Sequence, residues 1–246
     1  PAPVPPPAPT PVAAPTIAAT PLPLTGMRRV IAERMVHSQQ TVAEVTLTQE
    51  ADVGEVMKLR EQVSAEWQKL HGFKVSPTEV IVKAVARALR EHPRLNSSLT
   101  DTGIQIHTEV NIGVAVALDE GLIVPVIRSA DQKSLLEIAK EVRDLSERAR
   151  KNQLSRDEVT GGTFTVSNMG MLGVEAFTPI INWPECAILG VGRIAERAVA
   201  RDGQVVVRPT MWLSLTFDHR IVDGAPAAVF LSRVRQLIES PYLLFV

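Results

Sequence analysis

Ten of the chain's 18 prolines fall within its first 24 residues, mixed with Ala, Val and Thr and without a single charged side chain. Proline fixes φ and has no N–H to donate, so Pro1 to Leu24 can build neither a helix nor a sheet ladder and reads as an extended, semi-rigid linker. A linker of this kind tethers mobile domains, so a further domain on its N-terminal side is expected. The folding information then lies in residues 25–246, enough for one large domain.

Several function classes are disfavoured by composition. The chain is 45% hydrophobic and 22% charged with a net charge of −1, so no global charge field points to nucleic acid or to an anionic membrane. Aromatic residues are sparse, against a base-stacking surface. No apolar run reaches membrane-spanning length, and the first residues lack the basic start of a signal peptide. Cys186 is the one cysteine, which excludes an internal disulfide and leaves no zinc-spaced Cys/His cluster; a buried, inert thiol in a cytoplasmic protein is expected.

Periodicity predicts helices over Met27–Gln40, with Thr25 or Gly26 as its cap, and over Val53–Leu70, Pro77–Ala88, Ser134–Lys151 and Asp223–Ile238. Strands are expected at Val45–Glu50, Val110–Ala117, Leu122–Ile127, Thr163–Ser167, Ala187–Val191 and Trp212–Phe217. The irregular alternation implies a mixed sheet with packed helices, an α/β (α+β) fold. The apolar tail Tyr242–Val246 is expected to bury against its own domain or another subunit.

Chemistry concentrates in two segments. Ser214-Leu215-Thr216-Phe217-Asp218-His219-Arg220-Ile221-Val222-Asp223-Gly224 delivers a histidine at the end of a buried strand, held rigidly yet facing outward, as a general base requires. The HxxxDG pattern alone occurs by chance in roughly a few per cent of chains this long, and from it alone His219 reads equally as a structural histidine. Asp223 reads equally as an ordinary helix N-cap, and Asp218 with Arg220 as a local ion pair shaping the turn. The second segment, Gly161-Gly162-Thr163-Phe164-Thr165-Val166-Ser167-Asn168-Met169-Gly170, brings Ser167 and Asn168 to a glycine-punctuated loop, where they serve either as hydrogen-bond donors or as turn residues.

Taken with Phe177-Thr178-Pro179-Ile180-Ile181-Asn182-Trp183-Pro184-Glu185-Cys186-Ala187-Ile188-Leu189-Gly190-Val191-Gly192, the opening Thr25–Met35 and the strand Gly121–Val126, these segments resemble the catalytic domain of the dihydrolipoamide acyltransferases, the core components of 2-oxo-acid dehydrogenase complexes. The resemblance covers about Leu24 to Val246. It implies a chloramphenicol-acetyltransferase-like fold, trimers with the active site between subunits, and a larger cubic or icosahedral core. It also implies lipoyl and peripheral-subunit-binding domains upstream, which lie outside this chain and would carry the lipoyl group and recruit the decarboxylase and dihydrolipoamide dehydrogenase.

The resemblance further implies acyl transfer, with coenzyme A as co-substrate and no metal. His219 is then the general base for the thiol, Ser167 the oxyanion donor, and Asp223 an orienting and capping residue. Arg60, Ser76, Ser167, Asn168 and Gly192 fall at coenzyme-contacting positions, although Ser76 reads equally as a cap for the helix at Pro77. Ala117 stands where many members have a coenzyme-contacting Asp; either Asp119 substitutes for it or the contact is lost. Pro179–Pro184 and Met169–Gly173 are expected to shape the acyl pocket, and the lack of a basic residue beside Ser167 favours acetyl over succinyl. Two rivals remain: a stand-alone acetyltransferase acting on a small hydroxyl compound, and a non-catalytic structural core protein.

Overall fold

In a computed structural model, residues 22–118 and 121–245 are described. The expected linker therefore falls almost wholly outside the described residues, as do Asp119 and Val246. The chain runs α1 (Gly26–Thr41), β1 (Glu44–Asp52), α2 (Gly54–His71), α3 (Pro77–Glu91), β2 (Ser97–Thr100), β3 (Gly103–Ile106), β4 (Ile112–Val114), β5 (Val116–Leu118), β6 (Gly121–Ile123) and β7 (Val126–Ile127). It continues with α4 (Leu135–Arg150), β8 (Phe164–Asn168), β9 (Ala187–Val191), β10 (Ala195–Arg201), β11 (Gln204–Asp218) and α5 (Gly224–Glu239).

The main sheet is mixed, as expected. Its order is β1-β11-β9-β8-β4-β7, with β10 also paired to β11. β8 runs parallel to β9 and β4, and the other pairs are antiparallel. Side chains alternate across a sheet, and here the two faces differ sharply. One face carries Phe164, Val166, Leu189, Leu213, Leu215 and Phe217, all fully buried. α5 covers β1 and β11 on that side, and α3 packs on α5. In register on the other face are Ser167, Gly190, Ser214 and Thr48, and beside them Thr165, Ile188, Thr216 and Thr46. Thr46 and Thr216 share a hydroxyl–hydroxyl bond of 2.8 Å.

Local chemistry sets the helix ends. In α4, Ser134 and Glu137 form a capping box, with Ser134 N–H donating to Glu137 Oε2 at 2.7 Å and Glu137 N–H to Ser134 Oγ at 3.3 Å. α3 starts with Pro77 in its first turn, where no N–H partner is needed. α1 differs from expectation in two ways. Thr25 occupies its N-cap position without a side-chain cap bond, and only Ser38 is buried, leaving Met27, Val30 and Val36 exposed.

Two expected strands are broken. Val110–Ala117 divides at Ala115, so that β4 stays in the main sheet while β5 turns away to pair with β6. Leu122–Ile127 divides at Pro125, which cannot donate to a ladder, although its carbonyl accepts from Val114 N at 2.9 Å. The expected strand Trp212–Phe217 is the end of a 15-residue strand whose first half pairs with β10 through a turn at Asp202-Gly203, both with positive φ (49° and 76°). Only Leu244 of the described tail residues after Tyr242 is buried; Leu243 and Phe245 are 36% and 60% exposed. Burial of the whole tail within its own chain is therefore not observed.

Candidate active site

β11 ends at Asp218, a 2% exposed carboxylate inside the turn that follows. Its Oδ1 accepts from Arg220 N at 3.0 Å, and Arg220 Nη2 donates to its Oδ2 at 2.7 Å. Its carbonyl accepts from Ile221 N and Val222 N. The Asp–Arg pair thus shapes the turn and presents the residue between them. His219 donates its backbone N–H to Ala43 O at 2.9 Å, while its side chain remains 45% exposed.

Asp223 corrects one expectation. It occupies the N-cap position of α5, yet its side chain makes no capping hydrogen bond; its carbonyl alone accepts from Ala227 N at 3.2 Å. The carboxylate is 80% exposed, with Oδ1 at 3.9 Å from His219 Nδ1, within ion-pair range and beyond a hydrogen bond. It faces the imidazole instead of the helix end.

A cavity of about 590 Å³ opens at the other end of the sheet, where β8 and β9 finish. Ser76 and Thr78 from the start of α3, Ala117 from β5, Asn168 at the end of β8 and Gly192 just beyond β9 line it. Three of the expected coenzyme positions (Ser76, Asn168 and Gly192) therefore meet around one space. Asn168 Nδ2 donates to Thr78 Oγ1 at 3.0 Å, and its Oδ1 accepts from Gly170 N at 2.8 Å, tying the β8 loop to α3. A Cβ on Gly192 would lie 1.8 Å from Glu175 O, so only glycine permits the loop at Glu175 to approach. Arg60 does not line this cavity; its Nε donates to Val75 O at 3.2 Å, directly before Ser76. Glu79 takes the Ser76 N–H at 2.7 Å and the Ser76 hydroxyl. Burial holds the Glu79 carboxyl above the usual range, despite those bonds and the Arg60 charge. The hydroxyl of Ser76 is thus committed to the helix start.

Ser167 points to the hydroxyl-rich face, opposite in sense to Asn168 beside it. Its cross-strand neighbour Gly190 is covered by the Phe177 ring, which lies 2.9 Å from where a Cβ would stand. Two residues before Ser167, Thr165 Oγ1 is 2.6 Å from Glu185 Oε2, whose other oxygen meets Asn182 Nδ2 at 2.8 Å. Glu185 is fully enclosed, and burial pushes its carboxyl up to about 8, so it is neutral at pH 7. Cys186, next to it, is pushed up to about 12 by burial and is inert as a nucleophile.

Ser167 and His219 are not neighbours within the chain. Ser167 aligns with Gly190 and Gly190 with Ser214, two strands across, while the strand continues four residues further before His219. At ~3.4 Å per residue over five residues and ~4.8 Å for each of two strand steps, about 20 Å separates them, beyond the joint reach of a serine and a histidine side chain. Arg150, Glu185 and Glu79 were not singled out from sequence. The spacing of Val142, Ser146 and Arg150, four residues apart on α4, is a signal for the first, and a lone carboxylate in the apolar run Ile180–Val191 for the second.

The profile described as 2-oxoacid dehydrogenases acyltransferase (catalytic domain) matches residues 18–246. The chain is 44% identical over 218 residues to the dihydrolipoyllysine-residue succinyltransferase component of the 2-oxoglutarate dehydrogenase complex from Bartonella vinsonii, covering 89% of this chain and 53% of that protein. It is 42% identical over 229 residues to the dihydrolipoyllysine-residue acetyltransferase component of the pyruvate dehydrogenase complex from Bacillus subtilis, covering 91% and 51%. Among solved structures, it superposes on the dihydrolipoamide acetyltransferase of Azotobacter vinelandii with a TM-score of 0.89 at 38% identity, covering 93% of this chain and 95% of that one. The cubic core of the pyruvate dehydrogenase multienzyme complex gives the same TM-score, identity and coverage. The chain spans about half the length of the curated relatives it matches. By its profile, its relatives and its fold, the chain belongs to the 2-oxoacid dehydrogenase acyltransferase family, over the family's catalytic domain.

Proposed function

We propose that this domain transfers an acetyl group between a dihydrolipoyl group and coenzyme A, at a site to which two copies of the chain contribute. One observation carries the reading. In the Azotobacter vinelandii enzyme, crystallographic and enzymatic work on the mechanism addressed a serine, a histidine 52 residues later and an asparagine four residues after that. Ser167, His219 and Asp223 keep the same two separations, with Asp223 in place of the asparagine. The about 20 Å between Ser167 and His219 on one chain, reckoned from strand geometry, then calls for Ser167 of one copy to meet His219 of the next. Self-association follows from that requirement; its form as trimers within a larger core is what the family resemblance implies, and the superposition on a cubic core supports a multimeric core.

In the forward direction, coenzyme A brings a thiol with a pKa of roughly 8.5, mostly protonated at neutral pH. His219 removes that proton at Nε2, and the thiolate attacks the carbonyl carbon of the acyl-lipoyl thioester. The tetrahedral oxyanion accepts a hydrogen bond from Ser167 Oγ, which is worth most as charge develops. Collapse breaks the bond to the lipoyl sulfur, which leaves with the proton from His219. The products are acyl-coenzyme A and a lipoyl thiol. Asp223, 3.9 Å from Nδ1, favours the imidazole orientation that aims Nε2 away from it. Residues 1–24 act as the tether through which an upstream lipoyl domain reaches the site.

Acetyl is favoured because the residues flanking Ser167 on its face (Thr165, Gly190 and Ser214) carry no charge, and Phe177 closes over Gly190. The relatives include both acetyl- and succinyltransferases, so the acyl group is the point to test. Turnover of acetyl-, succinyl- and isobutyryl-coenzyme A with free dihydrolipoamide should rank acetyl first, with chloramphenicol inert as control acceptor. Transfer to chloramphenicol would favour the small-molecule acetyltransferase reading. No transfer to any acceptor would leave a structural core protein.

A further inference from the structure

The cavity beside β8 and β9 has a charge pattern that its expected contacts do not explain. Among the described residues, Arg150 is the one charged side chain that lines it. Arg150 ends α4 on the row formed with Val142 and Ser146, which also line the cavity, so the helix aims this row at the space. The neighbouring arginines of α4 are engaged elsewhere. Arg143 pairs with Glu147, and Arg148 is held by Glu158 and Asp144. Arg150 is exposed, and no carboxylate among the described residues pairs with it. Across the cavity lies the start of α3 at Ser76 to Thr78, the positive end of a 15-residue helix. A neutral wall, one unpaired guanidinium and a helix start together fit an anionic ligand with an apolar stem, not a neutral one.

We propose that Arg150 binds a phosphate of the coenzyme at the mouth of this cavity and so sets the preference for coenzyme A over an unphosphorylated thiol carrier. This deepens the acyl-transfer reading and rests on it for the identity of the ligand. The guanidinium fork matches phosphate oxygens two at a time, which an ammonium does not. Placing the phosphates at the end of α4 leaves the pantetheine stem to run along Val116, Ile194 and Met211 toward Asn168 and Gly192. A purely structural role at the end of α4 is the competing explanation, since a cation there also suits the helix dipole.

The experiment measures coenzyme A and pantetheine binding by calorimetry to the intact chain and to Arg150→Gln and Arg150→Lys. Arg150→Gln is expected to weaken coenzyme A about tenfold and leave pantetheine unchanged; Arg150→Lys should fall between, with folding of both variants checked by thermal unfolding. Equal coenzyme A affinity in Arg150→Gln and the parent, or an equal loss for both ligands, overturns the assignment. Because binding is read without turnover, a parent chain that binds coenzyme A through Arg150 but transfers no acyl group overturns the function and leaves Arg150 standing.

Discussion

Glu185 is the group whose removal reports most directly on how the sheet beneath Ser167 is held. Its carboxyl is enclosed between Thr165 and Asn182, and burial pushes it up to about 8 from an ordinary 4.5. Between those two values the folded chain keeps a proton that the unfolded chain has released. Stability is therefore fully present below pH 4.5 and is lost as the pH rises toward 8, at ~1.4 kcal/mol per pH unit. From pH 4.5 to 7 the loss amounts to roughly 3 kcal/mol. Glu185→Gln has nearly the same shape, stays neutral, and can offer an N–H to Thr165 Oγ1 and an oxygen to Asn182. Glu79, also raised by burial, contributes in the same direction to both proteins, so the difference between them isolates Glu185. Urea unfolding at fixed protein concentration, repeated from pH 5 to 8, should show the variant gaining on the parent by about 1 kcal/mol or more per unit. Parallel stability curves would mean that Glu185 is ionised and solvated in the folded protein, and the enclosed site described here would be wrong.

With Ser167 as the proposed oxyanion donor and His219 as the proposed base, Ser167→Ala should lower kcat by about 10²–10³ with little change in KM, and His219→Ala should lose more; steady-state kinetics with acetyl-coenzyme A and dihydrolipoamide reads both. Gly192→Ala drives a Cβ to 1.8 Å from the Glu175 carbonyl, so melting should fall by about 5 °C or more and coenzyme A binding should weaken with it. Asp223→Ala removes no cap bond, so its unfolding free energy should change by less than about 0.5 kcal/mol while kcat falls. A large stability loss in that variant would restore the capping role.

The elements best read from sequence are those with a local chemical signature. Ser76-Pro77 marked one helix start, amphipathic periodicity from Ser134 placed another, and the apolar run Ala187–Val191 marked a central strand with both ends correct. The β10–β11 hairpin was missed although Asp202-Gly203 is a strong turn signal, because its strands carry Arg and Glu and lack a clean apolar alternation. The breaks at Ala115 and Pro125 depend on which neighbouring strand each half joins, and periodicity does not carry that information. α1 was found at its predicted place, with Ile31 and Met35 half-buried and Met27, Val30 and Val36 exposed, a distribution that periodicity alone does not give. At the candidate site, the motifs singled out Ser167, Asn168 and His219, while tertiary placement alone shows that the first and last sit at opposite ends of one sheet. Arg150 escaped notice because an arginine near a helix C-terminus is unremarkable until the cavity beside it is seen.

The division of the site between two copies is tested most directly by complementation. Ser167→Ala and His219→Ala chains, each nearly inactive alone, are co-expressed with different tags and the mixed assemblies isolated. If each site takes Ser167 from one copy and His219 from the next, every mixed cyclic trimer keeps one intact site in three, and the activity of the isolated mixed trimers should return to about a third of the parent's. Mixed assemblies no more active than the two variants alone would place both residues in one chain's site and contradict the account.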